Sequence, residues 1–530
     1  MSAWQKIKQS VVSSNRSDQF LEGIVQPDEN RGNRLCVSVS DIHLTDGTVG
    51  FQNLGDHAWQ LFYNSILQRC KNYYVDEVLF VLDGDIVDMI RSSRWVENGI
   101  YPWERQRSAE FSAVINQIIQ DIVEHKHKSF FDMLKALPAR LREEAAVKQV
   151  KVVITLGNHD KELFCDQQAL SYFYEQALGI RLDDISLAER QLIGRMYGDE
   201  AMFESLSSAP YMPFYYGDTG FRFFTTHGQW RDKDNSRSIK AEDGLPGWSA
   251  SEGWQTEKWQ QLGYSPFLLP CFGDSVAAGV LSTFIYKVKR QLDENGCQDT
   301  RLNSILDELD LYRPTYAALT RILKETSDMR SDGRGETAIK IIEETLYHCI
   351  IEWLSWDFTY QSTSSFRGTL LRTGKRLLEW LRSMGHGLEI KGLASLLRII
   401  EFLNQFFRRS ITLNEMGRFP AFMPEYRHYQ FQIHGEGHTH MPLQEQPNIE
   451  GLRSSTYINF GTWRDQIVIR KDRGYRRQGV LRALYILDLV NRCDDPGQPP
   501  RTFDYFVEDV VNWGDFKDAL NECGKVQMKF

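Results

Sequence analysis

The chain has 530 residues, with 42% hydrophobic and 25% charged side chains and a formal net charge of -9. At roughly 150 residues per domain, that length implies one large elaborated domain or two to three smaller ones around a packed core. The composition is that of an ordinary globular protein, and the acidic balance excludes a globally basic nucleic-acid binder while leaving room for a local basic groove.

In chain order, Met1 to Asp18 is polar and amphipathic and lacks the apolar stretch of about 7 to 15 residues that a secretory signal needs. Strand-like apolar runs follow at Leu35 to Ser40, Val78 to Leu82, Val150 to Leu156 and Phe221 to Thr226. They are separated by charge-rich helical stretches such as Phe111 to Ala146, with His125 and His127 expected on a solvated helix face. This alternation predicts an α/β layered fold.

From about Arg231 to Pro424 the strand signals mostly stop. Leu302 to Thr326, Glu336 to Trp356 and Gly368 to Phe407 instead repeat apolar residues at helical spacing, with breaks near Pro314 and Gly385. Strand character returns at Tyr429 to Ile433, Ser455 to Phe460, Gln466 to Arg470 and Val480 to Val490. The chain therefore divides into a polar N-terminal segment (1–32), a first core part (33–230), a helical insertion (231–425) and a second core part (426–530). Nowhere do about 18 apolar residues run together, so no transmembrane segment is expected. The eight cysteines lie scattered without C-x-x-C spacing, which points to a reducing compartment and a cytoplasmic location.

Five of the strand-like runs end in short segments rich in metal-ligand residues. These are Asp41-Ile-His43, Gly84-Asp85-Ile-Val-Asp88, Gly157-Asn158-His159-Asp160, His227-Gly228 and Gly437-His438-Thr439-His440. Carboxylates and imidazoles in this mixture suit Mn, Fe, Zn or Ni better than Ca. Two divalent ions about 3.5 to 4 Å apart need a bridging carboxylate, and Asp85, placed after a strand and a glycine, is the natural bridge. Asp41 and His43 are two apart on an extended segment and can share one ion, whereas His438 and His440 could reach both. Asn158 offers a carbonyl oxygen and His227 an imidazole. His159 is left without a metal and becomes the candidate acid.

The series D-x-H, G-D-x-x-D, G-N-H-[DE], H and G-H-x-H resembles that of the calcineurin-like metallophosphoesterase superfamily, over roughly half to two thirds of the chain. The resemblance implies a four-layer α-β-β-α sandwich of two mixed sheets, here carrying a large α-helical insertion. It implies that Asp41, His43, Asp85 and His440 hold one ion, and that Asp85, Asn158, His227 and His438 hold the other, with Mn the first expectation. A metal-bridging hydroxide would attack phosphorus, His159 would protonate the leaving oxygen, and Asp160 would orient the His159 ring. Asp88 is expected to position the ligand histidines.

Met89-Ile90 stands where protein Ser/Thr phosphatases of this superfamily carry Arg-Gly, and Asp160 where they carry Glu, which argues against that activity. The Arg91-Ser-Ser-Arg94-Trp95 stretch is similar to the corresponding region of bacterial UDP-diacylglucosamine pyrophosphatases and their relatives. Arg91, Arg94 and Arg231 are candidate substrate contacts. The expected function is hydrolysis of a phosphomonoester, phosphodiester or pyrophosphate bond in a small-molecule, nucleotide or lipid substrate. Two rivals stand beside it: a nuclease acting on DNA or RNA, and a catalytically silent scaffold that binds protein. The insertion is a candidate substrate cap, or a surface for a partner or a second copy of the chain. Its apolar segment Leu393 to Phe407 fits either a buried bundle helix or a lipid-facing groove.

Overall fold

The central strands are short aliphatic runs whose side chains are apolar on both faces, which is the pattern of strands covered on both sides. The computed structural model describes residues 20–180, 212–235, 265–383, 429–491 and 501–509, less short interior stretches, together with 248–249 and 253–254. In the first zone β1 (Phe20–Leu21) and β2 (Ile24–Val25) form a short hairpin. They are followed by β3 (Arg34–Val39), β4 (Glu77–Asp83), β5 (Gln149–Thr155), β6 (Tyr215–Asp218) and β7 (Phe223–Thr226). The helical zone carries β8 (Trp248–Ser249), β9 (Gly253–Trp254) and β10 (Tyr312–Arg313). The last zone adds β11 (Ile433–Glu436), β12 (Leu443–Glu445), β13 (Thr456–Asn459), β14 (Gly461–Ile469), β15 (Tyr475–Val490) and β16 (Arg501–Asp509).

Fourteen of these strands build two seven-stranded mixed sheets, and β8 and β9 pair with each other. One runs β1-β2-β6-β7-β11-β13-β12, and the other runs β10-β14-β15-β3-β4-β5 with β16 also paired to β15. Strands from both ends of the chain are thus interleaved in each sheet, as the divided ligand segments require. Within the second sheet β3, β4 and β5 are parallel, and within the first β7 and β11 are parallel. Parallel strands present their carboxyl ends at one edge, so three ligand loops gather on one sheet and two on the other. A single buried apolar cluster runs through both sheets, including Val37, Val81 and Ile154 of one and Phe224, Ile433 and Ile458 of the other.

Two strands begin later than their sequence pattern suggests. β7 starts at Phe223 because Arg222 closes the preceding turn with φ 48, and β11 starts at Ile433 because Gln430 does the same with φ 52. Positive φ ends pairing locally, although the aromatic residues on either side read as strand. The expected Tyr429 to Ile433 strand is therefore displaced to Ile433–Glu436.

The helical zone has its own apolar cluster, built from residues such as Phe284, Leu306, Ile322, Ile342, Leu346 and Leu378. Its longer helices are Thr283–Glu294, Tyr316–Ser331, Glu336–Trp353 and Ser365–Ser383. The helical pattern over Leu302 to Thr326 is interrupted ahead of Tyr316, in keeping with the break expected near Pro314. Thr300–Glu308 is followed by a 3-10 turn, then β10, then the Tyr316–Ser331 helix. β10 pairs in parallel with β14, matching Tyr312 to Ile467 and Arg313 to Val468, so this zone contributes a strand to a core sheet. Leu393 to Phe407 lies outside the described residues. Among the described residues no helix is long and apolar enough to cross a membrane.

Two interactions in the core carry measurable expectations. Trp463 on β14 is fully buried, stacks on Trp59 with ring centroids 5.2 Å apart, and donates its Nε1 hydrogen to the Arg482 carbonyl oxygen at 3.0 Å. Truncating such an indole removes both packing and a satisfied donor, so Trp463→Ala is expected to lose about 3 to 5 kcal/mol in a urea unfolding experiment.

His127, expected on a solvated face, is a correction. His125 is 71% exposed in its side chain, but the helix turns inward at His127, whose Nε2 contacts the Thr45 carbonyl oxygen at 2.9 Å. Burial pushes this imidazole down to about 4. The unfolded chain, with an ordinary histidine pKa near 6.5, takes up this proton first, so folding stability falls as pH drops from about 6.5 towards 4. His127→Gln should lose less stability than the parent across that window in pH-dependent unfolding; parallel curves would contradict the assignment.

Candidate metal centre

Each expected ligand lies just past a strand end. β3 leads through Ser40 to Asp41 and His43, and β4 leads through Gly84 to Asp85. β5 precedes Asn158, β7 precedes His227, and β11 precedes His438 and His440. Five of these residues adopt left-handed backbone: Asp41 (φ 53), His43 (φ 52), Asp85 (φ 51), His438 (φ 65) and His440 (φ 57). Such a conformation costs a non-glycine residue of order 1 to 3 kcal/mol, and it persists where surrounding contacts impose it. Glycines permit the close approach. A Cβ on Gly157 would stand 2.1 Å from the Asp85 amide nitrogen, and one on Gly437 would stand 2.0 Å from Asp41 Oδ2.

The side chains form groups that could hold a metal ion. Asp41, His43, Asp85 and His440 form one, Asp85, His227 and His438 form another, and His43, Asp88 and His159 form a third, with the ligand atoms of each group within 4.8 Å of one another. Asp85 belongs to the first two. Asn158 Oδ1 lies 2.8 Å from His438 Nδ1, which brings the remaining expected ligand to the second group.

In the first group His440 Nε2 is 3.1 Å from Asp41 Oδ1 and 2.9 Å from His43 Nε2, and His43 Nε2 is 3.6 Å from Asp85 Oδ2. Donor atoms that surround one ion at about 2.1 Å stand roughly 3.0 to 3.4 Å apart in octahedral or tetrahedral sets, and these edges bracket that range.

Hydrogen bonding fixes which imidazole nitrogens are left for a cation. His227 Nδ1 donates to the Asp83 carbonyl oxygen at 2.9 Å, an atom that can only accept. Nε2 of His227 is then buried without a hydrogen-bond partner, 3.1 Å from Asp85 Oδ2. Burial favours the neutral ring, but the Asp85 and Asp41 carboxylates pull its pKa well above the ordinary value. The pocket thus demands positive charge between Nε2 and the carboxylate, from a proton or from a metal ion. Burial likewise works against the Asp85 carboxylate, yet His227 and His159 hold it below the usual range. His440 is pushed down to about 3 by burial, with His43 and Arg313 adding to it, which keeps the ring in the neutral form a metal requires.

Asp88 lies against His43, the kind of contact expected of it, whereas Asp160 takes a different place from the one expected. Asp88 Oδ1 is 2.7 Å from His159 Nδ1, and Asp88 Oδ2 is 3.2 Å from His43 Nδ1, so one carboxylate positions both rings. A carboxylate behind an imidazole fixes its tautomer and orientation. Asp160 does not perform this task for His159. Its carboxylate instead accepts backbone N–H bonds from Asp85 (2.6 Å), Ile86 (3.0 Å), Val87 (3.0 Å) and Gly157 (3.1 Å). Successive amides of the Gly84 to Val87 turn make an anion nest, and a residue directly following His159 can fill it only by turning away from that ring. Burial and the Asp85 carboxylate push Asp160 up to about 7, against the pull of these amides.

The arginine candidates separate. Arg91 is 9% exposed and lies 3.6 Å from Asp88, on the flank of the centre. Arg94 turns its guanidinium to Asp121 at 3.0 Å and Glu97 at 3.2 Å rather than to the ligand groups, so the expected substrate role has no geometric support. Arg231 ends a 3-10 turn, and its side chain lies outside what the structure describes. His434, with no expected ligand role, pairs with Glu436 at 3.0 Å within β11.

Several residues around the centre carry no motif. Asp232 Oδ2 is 3.1 Å from His438 Nε2. Buried Glu436 accepts from Trp230 Nε1 (2.8 Å) and Tyr457 Oη (3.0 Å) and so ties the His227 and His438 loops together. Asn459 donates to the Gly437 carbonyl at 2.6 Å, while Thr462 Oγ1 and the Trp463 amide both donate to the Asp41 carbonyl. The Arg313 charge, on β10, adds to the push that lowers the His440 imidazole. A carboxylate five residues beyond His227 was a readable signal for Asp232. Arg313 lies in the helical zone, far from any motif, and only the β10–β14 pairing brings it near.

Comparison with family models, with curated proteins and with solved structures finds no match. The close packing of Gly157 on Asp85 gives an expectation independent of any likeness. Gly157→Ala should lower divalent-metal affinity, measured by calorimetry, by at least about tenfold, the scale of disturbing a residue that supports a ligand. Unchanged affinity would show that Asp85 does not depend on this contact.

Proposed function

We propose that this chain is a metal-dependent phosphoesterase of the calcineurin-like kind, its two sheets and flanking helices forming an α-β-β-α sandwich interrupted by the helical insertion. Two divalent ions would be held, one by Asp41, His43, Asp85 and His440 and the other by Asp85, Asn158, His227 and His438. The observation that carries this reading is that Asp85 belongs to two of the metal-competent groups, between the Nε2 atoms of His43 at 3.6 Å and His227 at 3.1 Å. A carboxylate shared between two sets of imidazoles is the arrangement a pair of cations needs. Mn is the first expectation, and Fe, Zn and Ni suit the same donors.

When bound, the two ions supply activation of the attacking water and neutralisation of the charge that builds on the phosphoryl oxygens. The chain's own residues then have defined tasks. Burial strips water from the ligand carboxylates and strengthens their hold on cations. His159, 12% exposed in its side chain, has Nδ1 engaged by Asp88 at 2.7 Å. Its Nε2 is the nitrogen free to hold a proton for the departing oxygen. Asp88 stabilises the imidazolium that such a donor must become, as burial is outweighed by His159 and Arg91, which hold this carboxylate well below the usual range.

Two measurements test these roles. Mn-loaded protein should hydrolyse p-nitrophenyl phosphate or its bis ester, and Asp85→Asn should fall to background; turnover that survives this substitution would remove the shared-carboxylate role. His159→Ala should lose about 10²- to 10⁴-fold on an alkyl phosphoester, whose leaving oxygen needs a proton, and far less on a p-nitrophenyl ester. Equal losses on both would contradict proton donation by His159.

A further inference from the structure

His438 is gripped at both of its ring nitrogens. Nδ1 lies 2.8 Å from Asn158 Oδ1 and Nε2 lies 3.1 Å from Asp232 Oδ2, with the side chain 7% exposed. An amide oxygen and a carboxylate oxygen can only accept hydrogen bonds, whereas a neutral imidazole carries one N–H. One edge of the ring therefore calls for a cation where the other has a hydrogen. Asn158 is an expected ligand of the ion that Asp85, His227 and His438 would hold, so its edge is the one that faces the ion. The ring hydrogen then belongs on Nε2, toward Asp232.

Asp232 stands at the start of the insertion, five residues beyond His227 and outside every motif. Its carboxylate is itself fixed: Oδ1 accepts from the Asp234 amide at 2.9 Å, and Oδ2 accepts from Asn235 Nδ2 at 2.8 Å beside His438. This turn is docked on the body of the insertion. The Gly273 amide donates to the Asp234 carbonyl at 2.7 Å, and Arg367 Nη1, on the Ser365–Ser383 helix, pairs with Asp234 Oδ1 at 2.6 Å. A Cβ on Gly273 would stand 2.1 Å from Asn235 Oδ1, so the close approach needs a glycine. Neighbouring Asp274 reaches the other side of His438. It accepts from Lys161 Nζ at 2.8 Å, three residues beyond Asn158, and both side chains are buried. One short segment of the insertion, Cys271 to Asp274, thus braces both groups that flank the His438 ring.

We propose that Asp232 is a positioning residue for the second ion, the one assigned to Asp85, Asn158, His227 and His438. It takes the Nε2 hydrogen of His438 and so fixes the tautomer that turns the Nδ1 lone pair to the cation. The insertion sets this contact through Gly273 and Arg367, and it thereby governs the occupancy of one metal position and not of the other. This inference rests on the two-metal reading and deepens it. A carboxylate behind a ligand imidazole orients the ring and raises its basicity, and losing one lowers metal affinity about 10- to 100-fold. The first ion has its own such carboxylate in Asp88, behind His43, so the two effects are separable.

The test is a calorimetric titration of Mn into the full metal-free chain, with Asn158→Ala marking which of two binding events belongs to the second ion. Asp232→Asn, which keeps the size of the side chain and removes its charge, should weaken that event about 10- to 100-fold and leave the other within about twofold. Arg367→Gln, behind Asp234 on the insertion helix, should weaken the same event by a smaller factor. It decides the matter if thermal unfolding shows that Asp232→Asn does not fold. A residue that served only the fold would move both events together, so equal weakening overturns the proposal, as do two unaltered events in both variants. A parent chain that takes up no Mn removes the phosphoesterase reading and this inference with it, whereas two ions that ignore Asp232→Asn remove the inference alone.

Discussion

His227 presents Nε2 to Asp85 Oδ2 across 3.1 Å of buried space, with its other nitrogen committed to the Asp83 carbonyl. A lone pair facing a carboxylate repels it, and inside a low-dielectric pocket the repulsion is large unless positive charge lies between them. Much of the surrounding structure serves to hold this arrangement and its counterpart at His43 and His440. Backbone at Asp41, His43, Asp85, His438 and His440 is kept in the left-handed region. Gly157 and Gly437 let neighbouring loops approach to distances that a Cβ would forbid. Asp160 spends its carboxylate on the amides around Asp85. Strain concentrated on ligands and relieved by supporting contacts is the expected signature of a functional site.

The two sheets explain how these residues meet although His227 and His438 are far apart in sequence. β7 and β11 are parallel neighbours, so the ends of strands from the first and last zones share an edge. The helical zone between them has its own apolar cluster, yet β10 enters the second sheet. That single two-residue strand turns an apparent appendage into part of the flank of the centre. It carries Arg313 to the flank on which Asp310 stands 3.6 Å from Arg91.

Much of this was legible in the sequence because period and spacing carry it. Aliphatic runs marked β3, β4 and β5 to within a residue or so, and the short D-x-H and H-x-H spacings placed ligand pairs on one side of a turn. The split of the core around a helical zone followed from the loss and return of strand character. Other features were hidden for physical reasons. Positive φ at Arg222 and Gln430 delays two strands in a way no side-chain pattern reveals. Asp160 and Asp88 both lie near His159, and only the direction of their side chains decides which supports the ring. His127 reads as part of a charged helix face, but a turn of helix brings it against Thr45. Arg313 shows no motif because its place on the flank comes from a strand pairing across more than a hundred residues.

The central claim is that one carboxylate, Asp85, is shared by two metal ions. Electron paramagnetic resonance of the Mn-loaded chain examines that claim without reference to any substrate. The expected result is two Mn ions per chain with the signal of an exchange-coupled pair, replaced in Asp85→Asn by the signal of isolated ions or by loss of metal. A single uncoupled Mn in the parent chain, or a coupled pair that survives Asp85→Asn, would contradict it.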